Sequence, residues 1–418
     1  MTEADIRHPR ESDVLARIDA SADASLEFFR NLVRTRSSDP PGNERAVADM
    51  CASYAREFGM EVDQYEPALA RVNNVCRLRG STGAVTLLFN SHLDTFPASD
   101  ATAWRYPPFD AEVHEGRVWG VGTRDMKSGL AAALIAARVI REAGIQLDGD
   151  LLLTHTADHI RGGGVLGVKW LVDNDLIHAD LGVYTESNPP LAVEIASRGM
   201  LRFEITVFGY AKHTKYKVEH SEIGQPINAI LKAARIVAAI EAMEFTGWRP
   251  HPYVPGPPVI SVNRIDGGFS DTLIADRCVL RVDCRFLPGQ DPAHVEQEVR
   301  SVVKALGTED PELKADVKVV LLGEACEVAA DSPIVEAVQA AIETVIGQRV
   351  PLGGAGSTSD MRFIVNDAGI PMCKFMFPSS ETGTNEFESI EDFMNTIRVY
   401  ALLMLRILGD PTRTALYP

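Results

Sequence analysis

Apolar positions along the first 190 residues follow two rhythms. Runs such as "VTLLFNSHLDT" and "DLLLTHTAD" are almost continuously apolar before they turn polar, the pattern of buried strands. Between them, "SGLAAALIAARVIREAG" sets Leu130, Leu134 and Ala137 at helical spacing and stops at Gly144, which suits a C-terminal cap; a helix over 128–143 is predicted. Strand alternating with amphipathic helix predicts an α/β layered domain with helices over a mainly parallel sheet. From about residue 198 the order changes to strand (201–208), helix (226–241), two strands (258–265 and 274–284), helix (292–305) and strand (315–321), a compact α+β unit. "EACEVAADSPIVEAVQAAIETVIG" then returns to a capped helix. The chain closes on "SIEDFMNTIRVYALLMLRIL", where Ser389 and Asp392 have capping-box spacing. The expected organisation is one domain of residues 1–197 and 323–418, interrupted by an inserted domain over 198–322.

The chain's 418 residues, 45% apolar and 24% charged, suit a globular protein of two or so domains. Lysine and arginine total 41 against 58 acids, and the net charge of −17 repels phosphate backbones and anionic lipid. Nucleic acid and membrane are therefore not expected as partners. Cys51, Cys76, Cys278, Cys284, Cys326 and Cys373 are scattered with no C-x-x-C pair, as reduced core thiols would be. "MTEADIRHPRESDVLARIDA" lacks an apolar signal region, and no stretch reaches the roughly 20 apolar residues that span a bilayer, so a cytoplasmic location is expected.

Four stretches carry candidate chemistry. In "LLFNSHLDTFPASD", His92 and Asp94 lie two apart, so both side chains point the same way; such a pair can be a metal-binding imidazole with its orienting carboxylate, or a strand-end histidine bonded to a neighbouring acid. "VWGVGTRDMKSGLAAAL" puts Asp125 in a glycine-containing loop before a helix, as a metal ligand or a helix cap. "GVYTESNPP" ends an apolar run on Glu186. "LLLTHTADHIRGGG" ends one on Asp158, His159 and Ile160.

These stretches, together with "RSSDPPGNE", "GYAKHT" with "GQPINAI", "VDCRFLPG", "STSDMRF" and "GTNEFESIEDF", resemble nearly end to end the dinuclear zinc amidohydrolase and peptidase family of aminoacylase, carboxypeptidase G, acetylornithine deacetylase and succinyl-diaminopimelate desuccinylase. The resemblance implies a catalytic domain with an inserted dimerisation or lid domain, and hence a homodimer. It implies His92, Asp125 and Glu186 as ligands of a first metal, Asp125 bridging toward a second and Asp94 orienting His92. Three positions depart from the family. Its Asp-Glu-Glu is here Asp158, His159 and Ile160, and its second-metal histidine is Thr382, so both private ligands of the second metal are missing. One divalent transition metal per subunit, manganese, zinc or iron, is expected. His159 stands where the family has its general base, and an imidazole with an unperturbed pKa of about 6.5 can accept a proton from water near neutral pH.

The resemblance also makes His213 the lid histidine that reaches the partner's active site to stabilise a developing oxyanion. Lys212, Lys215 and Lys217 around it are a solvated basic loop or an attractor of an anionic substrate. Arg362 is a candidate carboxylate binder or a structural ion pair. The inserted domain's asparagine position, four before Asp276, is Thr272, which removes a peptide-type contact.

Three functions follow. One is a metal-dependent hydrolase that cleaves a C–N bond in a small carboxylate-bearing substrate with one metal-activated water, for example deamination of an electron-poor aromatic amine, as in the nitroanthranilate aminohydrolase type. Another is an amidase, aminoacylase or peptidase like the parent family. The third is a catalytically silent homologue that binds a metabolite or a partner.

Overall fold

The computed structural model describes residues 8–98, 100–161 and 163–409. The chain divides into two compact units, one of Met1–Ile195, Glu327–Ala355 and Ser359–Pro418, the other of Ala196–Cys326 with Gly356–Thr358.

The first unit is built on a large sheet in the order Glu61–Ala68, Arg71–Leu78, Asp150–Thr156, Thr86–His92, Leu181–Tyr184, Met372–Lys374 and Val193–Ser197. Its four central strands, from Asp150–Thr156 to Met372–Lys374, run parallel, and on either side Arg71–Leu78 and Val193–Ser197 pair with them antiparallel, as Glu61–Ala68 does with Arg71–Leu78. Apart from Thr86 and Asp150 at their starts, these central strands are buried, which is why they read as apolar runs rather than as alternation. Helices Ser128–Glu142 and Ile390–Leu408 pack on each other and on these strands, with the Phe89 and Tyr400 rings 5.0 Å apart. Ser389 caps the second of these helices, its hydroxyl accepting from Asp392 N. The first begins hard against the sheet: a Cβ on Gly129 would lie 1.9 Å from the Thr185 carbonyl oxygen, so only glycine permits the approach. That contact sets the loop carrying Asp125 beside the strand end carrying Glu186.

The second unit is a four-stranded antiparallel sheet in the order Val259–Gly267, Arg277–Phe286, Gly199–Phe208, Lys314–Gly323. Helices Ala229–Glu241 and Pro292–Glu309 pack on it through Ala233, Ile236, Val295 and Val299, against Phe203, Ile205 and Leu280. All six cysteines are buried and none forms a disulfide. Among the described residues no helix is long and apolar enough to cross a membrane.

Candidate functional site

Three parallel strands end side by side at His92, Thr156 and Tyr184, and the segments that follow carry Asp94, then Asp158 and His159, then Glu186. Open α/β sheets gather ligands at this carboxyl edge. His92 is fully buried and its Nδ1 lies 2.8 Å from the Asp94 carbonyl oxygen, which makes Nδ1 the protonated nitrogen. Its Nε2 lies 3.0 Å from Asp125 Oδ1. A lone pair facing a carboxylate oxygen at that distance needs a shared proton or a shared cation, and two ligands each roughly 2.0–2.2 Å from one ion have this separation. The donor set thus fits a divalent ion. Burial alone would raise the Asp125 pKa, but the His92 contact and the nearby Arg124 charge hold it well below the usual carboxylate range.

Glu186 is the third candidate ligand. Its Oε2 lies 3.0 Å from Lys374 Nζ, and Lys374 is fully buried with Glu194 Oε2 at 3.3 Å on its other side. Burial opposes ionisation of Glu186, while Lys374 favours it and leaves the pKa lowered. Asp94 orients His92 through its backbone carbonyl. Its carboxylate, whose Oδ1 is 3.6 Å from His92 Nδ1, instead accepts from the backbone N–H groups of His159 (3.2 Å) and Ile160 (2.8 Å). The expected orienting role belongs to a different atom of the same residue.

Asp158 adopts φ 72°, a left-handed conformation that aspartate tolerates better than most residues. Its carboxylate bonds Arg71 Nη2 at 3.0 Å and accepts from Leu166 N. Arg71 also serves Asp39 (2.9 Å) and Glu44 (3.1 Å). Ligand atoms of Asp39, Glu44 and Asp94 lie within 4.8 Å of one another, but Asp39 and Glu44 already have the Arg71 guanidinium as a cation.

His159 reaches the site. Its ring stacks on His92, with centroids 4.2 Å apart and planes at 9°, and its Nδ1 is 2.8 Å from Asp360 Oδ2. Burial would lower its pKa, but the charge and hydrogen bond of Asp360, aided by Glu186 and Asp94, push it up to about 9. The pairing with Asp360 favours the imidazolium, which donates, whereas the expected base acts as a neutral acceptor. A divalent ion beside His92 would repel that proton and oppose the shift.

Thr382 accepts from Arg124 Nη1 at 2.6 Å and donates to Asp125 Oδ2 at 3.1 Å. Ile160 supplies no ligand atom from its side chain. The residues at the family's second-metal positions therefore do not fit a second ion. Glu386 accepts from Arg124 N (2.8 Å) and Asp125 N (3.0 Å), which fixes the loop that carries Asp125; its own pKa is raised to about 7, first by burial and then by the Asp125 charge. Arg362 is 4% exposed, with Nη1 bonded to Ser359 O (3.0 Å) and Nη2 to Gly163 O (2.5 Å). Both ends of its fork bond backbone carbonyls, and Nη1 also lies 3.6 Å from Asp360 Oδ1, the structural ion pair that was the other expectation.

His213, Lys212 and Lys215 belong to the second unit. His213 is exposed and its Nδ1 accepts from Lys215 N at 3.2 Å. Lys212 bonds Ser221 Oγ and lies over the Tyr210 and Tyr216 rings; Lys215 pairs with Glu219 at 3.2 Å. Arg124, Lys374, Asp360 and Glu386 escaped the sequence reading. Lys374 carried a signal, a lone charge inside the apolar run "PMCKFMF", because a lysine there must have a buried acid.

Residues 88–406 match the family model described as Peptidase family M20/M25/M40. The N-formyl-4-amino-5-aminomethyl-2-methylpyrimidine deformylase of Halalkalibacterium halodurans is 27% identical over 310 residues, 72% of this chain and 71% of that protein. The succinyl-diaminopimelate desuccinylase of Rhodospirillum centenum is 27% identical over 403 residues, 93% of this chain and 99% of its own length. Among solved structures, a dinuclear metal-binding peptidase of Bacillus subtilis superposes with a TM-score of 0.67 at 14% identity, covering 94% of this chain and 99% of its own.

Proposed function

The chain belongs to Peptidase family M20/M25/M40 and is a metal-dependent hydrolase of C–N bonds, and from that premise we propose that it hydrolyses an amide-type bond in a small carboxylate-bearing compound with a single divalent ion. The observation that carries the reading is the 3.0 Å approach of His92 Nε2 to Asp125 Oδ1 beside Glu186. A divalent ion held by His92, Asp125 and Glu186 supplies Lewis acidity toward the substrate carbonyl and lowers the pKa of water. The protein's own residues do the rest. Asp94 and Glu386 fix the tautomer of His92 and the loop of Asp125. His159, paired with Asp360, holds a proton at the site, and in C–N cleavage the leaving nitrogen needs one.

The names of the deformylase and desuccinylase relatives support an amide substrate. The basic segment Lys212, Lys215 and Lys217 is assigned to attracting an anionic substrate, and His213 to the oxyanion in a homodimer. Displacement of an aromatic amine is the finer alternative within the same chemistry. The test is a screen of purified protein, supplied with manganese, zinc or iron, over formamides, succinyl amides, acylated amino acids and nitroanthranilates. Release of a carboxylate and an amine supports the reading. Ammonia from a nitroanthranilate alone would select the deaminase, and no turnover with any metal would leave a silent binding homologue.

A further inference from the structure

The two oxygens of the Asp125 carboxylate face different partners. Oδ1 meets His92 on the side that fits an ion, while Oδ2 accepts from Thr382 and lies 3.9 Å from Arg124 Nη1. Arg124 is 1% exposed, and the same Nη1 is 3.8 Å from Glu186 Oε1, so one guanidinium stands across both acids. Its Nη2 is tied to Asn188 Oδ1 (2.6 Å) and to the Ser187 carbonyl. A guanidinium cannot be deprotonated in a protein, so this side of the site carries a fixed positive charge at every pH. Thr382 completes the arrangement, because a hydroxyl accepts from Arg124 with one lone pair while donating to Asp125, which a metal-ligating imidazole could not do. Lys374 adds a second buried cation on Glu186.

We propose that Arg124 is a built-in cation that occupies the outer side of Asp125 and Glu186 in place of a second divalent ion, so that the site takes one ion and is closed to another. The inference rests on the single-ion reading above and deepens it. Closure is due to a charge that is present and not only to ligands that are missing. A divalent ion within about 4 Å of a buried guanidinium is strongly repelled.

Metal content by elemental analysis after dialysis against excess manganese or zinc separates the possibilities. The wild-type chain is expected to hold about one ion per subunit; two would sink the single-ion reading itself. Ile160→Glu with Thr382→His, Arg124 retained, restores both missing ligand types and is expected still to hold one. Adding Arg124→Ala to that pair is expected to admit a second ion. Two ions in the double variant, with one in the wild type, would overturn the role of Arg124 while leaving the single-ion reading intact. A triple variant that keeps its circular dichroism and its first ion but gains no second would do the same. Arg124→Gln in the otherwise native chain provides an independent readout: loss of the competing charge is expected to tighten the first ion by roughly tenfold or more in a chelator competition. Unchanged or weaker binding there counts against the proposal.

Discussion

His92→Ala should empty the ion site, because it removes one of three donors and leaves Asp125 and Glu186 to Arg124 and Lys374. Thr382→Ala should leave ion content nearly unchanged, and elemental analysis of the two variants checks both. For His159, the stacking on His92 and the pairing with Asp360 put a proton-bearing group at the site without making it a ligand. His159→Ala is therefore expected to retain the ion and lose roughly 10²-fold or more in turnover, the lower bound for a positioned acid or base. Near-normal turnover on the true substrate would make His159 a space-filler. At this scale the candidate ligands His92, Asp125 and Glu186 were legible only through the family resemblance of their motifs, since each residue alone also suited a structural role. The cations that balance them were not. Arg124 looks like an ordinary charge until folding buries it against Glu186, more than 60 positions away in the chain, and the lone charge of Lys374 in its apolar run calls for a buried acid without naming Glu186 or Glu194.

Elements were most legible where burial was complete. The runs at 86–92 and 150–156 read as strands because both faces are covered, and the helix at Ser128–Glu142 was bounded by its apolar face and by Gly144 at φ 67°. The edge strand Glu61–Ala68 was missed, because "EVDQYEPA" faces solvent along much of its length and offers no apolar run. Gly129 links element to site. Gly129→Ala should cost a few kcal/mol, in the range of overpacked cores, and should also weaken ion binding by shifting the Asp125 loop; thermal melts and ion titration on one preparation test the pair. The strand Asp150–Thr156 also carries a pH dependence. His155 is fully buried, neither ring nitrogen has a partner among the described residues, and burial lowers its pKa to about 3. The unfolded imidazole titrates near 6.5, so below that pH the unfolded chain gains a proton that the native chain refuses. Stability from this group is full above pH 6.5 and declines as pH falls toward 3. Between pH 7 and pH 5 the loss should be about 2 kcal/mol, and His155→Leu should remove that part of the slope in urea titrations.

At the scale of the whole molecule, the second unit was legible in outline, since its strand and helix order was read within a few residues of the observed elements, and its role was not. Its sheet ends on the strand Val259–Gly267, whose outer backbone groups have no neighbouring strand among the described residues, and Val259 and Ile265 on it are half exposed. An edge of that kind invites pairing with another chain unless it is blocked. Nearby in sequence, Phe269 is 66% exposed, more than the other exposed rings Phe96, Phe208 and Tyr210. A two-fold axis that pairs two such edges would cover these residues isologously, residue i of one copy against residue j of the other. The chain is therefore expected to scatter as a dimer of 45.6 kDa subunits at micromolar concentration. Ile265→Lys with Val259→Lys should shift it toward the monomer, because lysine on an edge strand blocks edge-to-edge pairing. If His213 serves the partner's site, that monomer should keep its ion and its first-unit stability while losing turnover. A scattering mass of one subunit for the native chain would remove the dimer and leave His213 without the oxyanion role assigned to it.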